Sequence, residues 1–425
     1  MHFERKIINC PEADESCLYA VHSSGLKVYI SEKPNFTMNY AVFGTRYGSV
    51  DTAFALGDGE MHSTPEGIAH FLEHKLFEGE DGDAFQKYAV TGASANAYTS
   101  FDRTCYLFSC TDRFYENLDI LLSFVSSPYF TPETVSKEQG IIGQEIRMYE
   151  DAPGWRVLFN LFRIMYHNHP VKVEIAGTVP SIAKITDQTL YDCYKTFYDP
   201  SNMFLCLSGN FDTEKVLEMI DSKIKTAEHE NIRRSDFDEP EEIVCDYGEM
   251  KMAVSMPLFV AGIKDSPAKS RELTKEKAVT NLLLEMCIGK ISPLYQKLLE
   301  EGLINTHFGT EYFYSNSYAA LLFEGESKDP KKVRDAISLE LKKIAENGAD
   351  KDLFNDALKK LYGKKIREFS DAEEIVSGFI DCAVDGTEPY CDIKILKTLT
   401  ADDITARARE LSTKTMALSC ILPQN

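Results

Sequence analysis

His70-Phe71-Leu72-Glu73-His74 is the stretch of this 425-residue sequence whose residue types and spacing could do chemistry. On a helix, two histidines four apart project from one face about a turn from each other, so both imidazoles can reach one ion. Glu73 lies beside that pair and not opposite it, which suits a carboxylate that takes a proton from a water activated at the ion. The pattern is H-x-x-E-H, with the glutamate reversed relative to the commoner H-E-x-x-H order. Such a site needs a third protein ligand and an open position for water. Glu138 and Glu145, seven residues apart and 64 and 71 residues after His74, would share nearly one helical face. Glu145 is the expected third metal ligand, and Glu138 the carboxylate that orients a histidine ring. Two imidazoles and one carboxylate favour Zn2+, one ion per chain.

Other candidates carry less. His62 precedes the helix and reads as a loop hydrogen-bonding group, and His167 and His169 flank Asn168 in a turn before Pro170. Cys105 and Cys110 lie across an expected strand and lack metal-site spacing.

The elements that must position these groups are legible in outline. Thr64-Pro65-Glu66 reads as an N-cap, a proline in the first turn and an acidic start, launching a helix over Ile68 to Phe77. Thr131-Pro132-Glu133 repeats the signal and opens a helix to about Tyr149. Strands are expected at Cys17 to Val21, Leu26 to Ile30 and Tyr40 to Thr45. A hairpin of Ser94 to Ser100 and Cys105 to Ser109 follows, then a helix over Arg113 to Ser126. Residues 226–246 are charged and poorly periodic, which places a linker at 231–244 between a domain over 1–230 and a second over 245–425. The second half shows a similar order: a strand near Val254 to Ile263, helices over Glu272 to Cys287 and Pro293 to Glu301, and strands at His307 to Phe313 and Tyr318 to Glu324. Helices over Pro330 to Glu346 and Lys351 to Phe369 complete it. That similarity suggests an old duplication.

Composition bounds the function. The chain is 44% hydrophobic and 27% charged, as folded soluble proteins are, and no apolar run approaches the ~18 residues of a membrane span. Its formal charge of -21 repels phosphate backbones, which argues against nucleic acid as a partner. Eleven cysteines at irregular spacing, with no C-x-x-C pair, read as buried small hydrophobes in a reducing compartment; the expected location is the cytoplasm.

The segment Gly67 to Gly79, the stretch Gly92 to Tyr106 with Asn96-Ala97-Tyr98-Thr99-Ser100 at its centre, and Glu138 through Glu145 together resemble the pitrilysin (M16, inverted zincin) metallopeptidases, and within them the short two-domain bacterial members. The resemblance implies an α+β chain of two tandem similar α/β units, each a mixed, mainly antiparallel sheet flanked by helices. It implies zinc-dependent endopeptidase activity on short or unfolded peptides, in a clam-like chamber completed by a second, related chain in a hetero- or homodimer. By the same likeness, Asn96, Ala97, Tyr98 and Thr99 would bind substrate as an added strand. One departure stands out. Active members carry an Arg and a Tyr close together in the second half to steady the oxyanion, and Ser292 to Asn305 offers neither where it is expected. The resemblance therefore also allows a non-catalytic peptide-binding or scaffold subunit, or a dedicated peptide-maturation component of a heterodimer.

Overall fold

A computed structural model describes residues 2–80, 82–225, 230–267 and 270–424. In the first half the main strands are β1 (Phe3–Cys10), β2 (Glu15–His22), β3 (Lys27–Glu32), β4 (Asn39–Thr45), β5 (Ser94–Thr99), β6 (Thr104–Cys110) and β7 (Met203–Gly209). Its principal helices are α1 (Ile68–Leu76), α2 (Ala84–Thr91), α3 (Phe114–Val125), α4 (Pro132–Glu150), α5 (Pro153–Met165) and α6 (Asp187–Phe197). The second half contributes β8 (Tyr247–Met252), β9 (Leu258–Asp265), β10 (Gly309–Tyr314), β11 (Ala319–Glu326) and β12 (Met416–Pro423). With them come α7 (Ser270–Ile288), α8 (Pro293–Glu300), α9 (Pro330–Asn347), α10 (Lys351–Glu368), α11 (Ala372–Asp385) and α12 (Ala401–Leu411).

The first sheet runs β1-β2-β3-β7-β4-β6-β5 and the second β8-β12-β9-β11-β10. In the first, β3 and β7 are parallel, and β7-β4, β4-β6 and β6-β5 are antiparallel. In the second, β8 and β12 are parallel, and β12-β9, β9-β11 and β11-β10 are antiparallel. The helices fall between matching strands, so β4-α1-α2-β5-β6-α3-α4-α5-α6-β7 has the same order as β9-α7-α8-β10-β11-α9-α10-α11-α12-β12. One supersecondary plan is used twice.

The compact units do not follow chain order. One comprises residues 1–146, 174–235 and 366–390, the other 147–173, 236–365 and 391–425. Each half thus sends its matching fifth helix into the other half's unit. α5 buries Val157, Phe159, Leu161, Phe162 and Met165 and packs on β9 and β12. α11 buries Ile375, Val376, Phe379 and Ile380 and packs on β4 and β7. Periodicity shows that such a helix has an apolar face, but not which sheet will cover it. The stretch 231–244 is not all loop either, because Ile232–Arg234 pairs antiparallel with Ala53–Leu56. Residues 226–229 of the wider acidic region lie outside the described residues.

The start of α1 differs from the sequence reading. Thr64 does not cap it; its N–H and hydroxyl both turn to the Thr52 carbonyl. The helix begins after Gly67, whose φ of 89° is left-handed and whose missing Cβ would meet Ala176 O at 2.4 Å. Thr131 does behave as expected, its hydroxyl accepting from Thr134 N at 3.2 Å ahead of Pro132.

Candidate metal centre

α1 is anchored by Ile68, Ala69, Phe71, Leu72 and Leu76, all buried in the core of the first unit, against β5 and β6. That anchoring turns the remaining face, with His70, Glu73 and His74, toward α4. There Val135, Ile142 and Ile146 are buried in the same core, and Glu138 and Glu145 occupy the side between them and solvent. Most of the expected donors therefore converge. His70 Nε2 is 3.6 Å from Glu145 Oε1, and His74 Nε2 is 3.6 Å from Glu145 Oε2. The two imidazole centroids stand 4.6 Å apart. Ligand atoms of His70, Glu73 and His74 lie within 4.8 Å of one another.

Glu138 holds the second ring nitrogen of His74, with Nδ1 to Oε1 at 3.0 Å. A neutral imidazole that donates Nδ1–H there presents a bare lone pair at Nε2, facing a carboxylate oxygen that also has only lone pairs. Two such acceptors stay close only with something positive between them, a metal ion or, with no ion bound, a proton on the imidazole. Donors each about 2.1 Å from a tetrahedral zinc stand roughly 3.4 Å apart, close to the 3.6 Å separations found here. With no ion present, burial is the largest influence on His74 and lowers its pKa. The hydrogen bond to Glu138 and the charges of Glu73, Glu138 and Glu145 together outweigh it, so the pKa is raised. The donor set suits a borderline-soft divalent ion.

A second group, His2, His22 and Asp221, also gathers ligand atoms within 4.8 Å. There Ser24 N–H donates to His22 Nδ1 at 3.2 Å, which leaves the proton on Nε2 to donate to Asp221 Oδ1 at 3.2 Å. That group is a hydrogen-bond clasp in which both ring nitrogens of His22 are already engaged.

The expected substrate strand is placed at the open edge of the first sheet, as β5. Ser100 N–H bonds Arg103 O at 2.8 Å, so Thr99 and Thr104, opposite each other, form a non-hydrogen-bonded pair. By alternation the N–H and C=O groups of Ala97 and Thr99 point away from β6, to the open side. Consistent with this, Ala97 N–H bonds the Asn96 side-chain oxygen at 2.9 Å. Tyr98 is 38% exposed. The Thr99 side chain is turned to the other partner, donating to Glu73 Oε2 at 3.0 Å. That contact was missed in the sequence, although the period of two already puts Thr99 on one face with Ala95 and Ala97.

His62 is exposed, on the short strand His62–Ser63, with its ring edge-on to Phe54. His169 is buried elsewhere, its Nδ1 accepting from Val171 N at 3.1 Å. In the second unit Tyr295 is 3% exposed within the core, and the Tyr312 hydroxyl is committed to Glu276 at 2.8 Å. No helix among the described residues is long and apolar enough to cross a membrane.

Comparison with known proteins shows the family. Residues 49–179 match the family model described as insulinase (peptidase family M16), and residues 184–361 match the one described as the peptidase M16 inactive domain. An uncharacterized zinc protease of Bacillus subtilis, YmfH, is 40% identical over 405 residues, 94% of each chain. The putative zinc protease AlbF of the same species is 27% identical over 207 residues, 48% of each chain. The crystal structure of a putative M16-like peptidase from Alicyclobacillus acidocaldarius superposes with a TM-score of 0.91 at 36% identity, over 100% of this chain and 99% of that one. Pitrilysin shares the fold at a TM-score of 0.78 and 16% identity, this chain spanning 47% of it. The two-domain architecture is thus pitrilysin-like. With both halves matched and the likeness to YmfH running nearly end to end, the chain belongs to the M16 family of metallopeptidases.

Proposed function

We propose that this chain is a zinc-dependent endopeptidase that cleaves short or unfolded peptides, with one Zn2+ held by His70, His74 and Glu145 and with Glu73 as general base. The observation that carries the proposal is the pair of 3.6 Å separations between the imidazole Nε2 atoms and the two oxygens of Glu145. Zinc, when bound, supplies Lewis acidity that polarises a carbonyl and makes water acidic enough to be deprotonated near neutral pH. The chain's own groups do the rest. Glu138 holds His74 in the tautomer that leaves Nε2 free. Glu73 takes the proton of the attacking water and passes it to the leaving amine, which keeps the amine from being expelled as an anion. The outward N–H and C=O groups of Ala97 and Thr99 pair with an extended peptide, with Asn96 and Tyr98 beside it; the Asn96 side chain must then give up Ala97 N–H.

In this reading residues 1–230 form the zinc-binding half, 245–425 wall the substrate chamber, and 231–244 join them. Tyr295 is buried and Tyr312 is engaged, which supports a second, related chain as the source of the Arg and Tyr that would steady the oxyanion. The chain by itself is then a slow enzyme, because oxyanion donors are typically worth a few kcal/mol of barrier. Nine buried cysteines and the absence of disulfides among the eleven fit a reducing, cytoplasmic setting. The test is zinc content and peptide cleavage in the wild type and in Glu73→Gln, alone and after adding any co-purifying partner. Full activity from a homogeneous preparation would sink the partner requirement.

A further inference from the structure

Thr99 belongs to the strand read as a substrate platform, but its side chain is engaged in the other direction. Its hydroxyl donates to Glu73 Oε2 at 3.0 Å, and the direction of the bond follows from its neighbours. Thr104 Oγ1 stands 3.4 Å from Thr99 Oγ1 and gives its single proton to the Tyr47 carbonyl at 2.8 Å. Toward Thr99, therefore, Thr104 can only accept. The Thr99 proton goes to the nearer, charged acceptor, which makes the stronger bond. The anchor is rigid: Tyr47 is fully buried, its ring stacked on Phe197 at 3.9 Å. The same kind of tie recurs at the matching place of the second unit, where Tyr312 on β10 donates to Glu276 on α7.

A glutamate has three rotatable bonds, and a general base must be held within hydrogen-bond reach of the proton it removes. We propose that Thr99 is a positioning residue: its hydroxyl pins Glu73 Oε2 against β5, so that Oε1 is the oxygen presented to the water. This rests on the reading of Glu73 as the base. It also separates two uses of one residue, the Thr99 main chain facing the open edge and the Thr99 side chain facing the catalytic carboxylate.

Thr99→Val removes the hydroxyl with little change of shape and leaves Thr104 still bonded to Tyr47. Thr99→Ser restores the donor. Zinc content, kcat and KM on one unstructured fluorogenic peptide would be measured for the wild type and both variants, with Glu73→Gln as the zero, together with crystal structures of the wild type and Thr99→Val. We expect kcat to fall about tenfold in Thr99→Val, the scale of a lost hydrogen bond to a charged group. KM and zinc content should be unchanged, most of the rate should return in Thr99→Ser, and the Glu73 carboxylate should turn away from residue 99 in the Thr99→Val crystal. A kcat within twofold of wild type, an effect confined to KM, a serine variant as slow as the valine one, or an unmoved carboxylate would each overturn the proposal. If the wild type cleaves no faster than Glu73→Gln, the peptidase reading fails. The crystallographic comparison then still decides whether Thr99 orients Glu73.

Discussion

Glu73 and His74 are adjacent in sequence yet have different tasks, and substitution separates them. Glu73→Gln keeps the shape and the metal ligands but cannot take a proton, so it should bind zinc normally and cleave about a thousandfold more slowly, as read by metal analysis and peptide assay. His74→Ala removes a ligand and should lose the metal. Glu138 touches the ion only through His74, so Glu138→Ala should weaken zinc affinity by about 10- to 100-fold in a chelator competition, with the fold intact. The residues of this set are legible in the sequence because H-x-x-E-H is local: helix geometry alone brings His70, Glu73 and His74 to one face. Glu138 and Glu145 are legible because seven residues nearly close two turns. Thr99 as a partner of Glu73 is not, since nothing in sequence order says which helix will cover the inner face of that strand.

At the scale of elements, the strand read as the peptide platform gives a sharp expectation. Ala97 N–H points away from β6, so Ala97→Pro removes no ladder hydrogen bond and is the kind of edge position where proline is tolerated. It should raise KM for peptides about three- to tenfold while shifting the melting temperature little. A large loss of stability would mean that the amide is needed inside the sheet. The exchanged helices give a second expectation. Phe379, 3% exposed, stacks near Tyr29 of β3 at 5.9 Å. Phe379→Ala should cost about 3 to 5 kcal/mol and speed amide exchange in β3 and β7, far away in sequence. Faster exchange confined to the second half would contradict the exchange of helices. Here the sequence was less informative. The hairpin of β5 and β6 and the helices α3, α4, α9 and α10 stand where their patterns place them. Gly67, however, replaced Thr64 at the start of α1, because Thr64 is held by Thr52. For α5 and α11, amphipathicity could not name the sheet that each covers.

For the whole molecule, the duplication is suggested by the order of patterns and becomes explicit only in strand pairing, where both sheets place one parallel pair before three antiparallel ones. The two units have diverged in chemistry, and the second has its own buried histidine. Burial is the chief cause that pushes His169 down to about 4, with Lys264 assisting and Glu239 opposing. Folded His169 stays neutral while the unfolded chain takes up a proton below about pH 6.5. Its contribution is therefore complete above pH 6.5 and lost as pH falls through 4, at most roughly 3 kcal/mol. Burial raises the Glu239 carboxyl, but Lys264 and the N–H groups of His167, Asn168 and His169 outweigh it and hold it down to about 2, so stability continues to fall below pH 4.5. Proton NMR should find the His169 midpoint near 4, and a midpoint of 6 or above would contradict its burial as a neutral ring.

The central claim, that His70, His74 and Glu145 hold zinc for a reaction in which Glu73 moves the proton, is tested most directly by one digestion. The zinc-loaded chain and zinc-loaded Glu73→Gln are incubated with a mixture of unstructured peptides, and products are read by mass spectrometry. Slow cleavage by the wild type that disappears in the mutant, at equal zinc content, is the predicted result. Equal products from both, or none from either even with a related partner chain present, would contradict it.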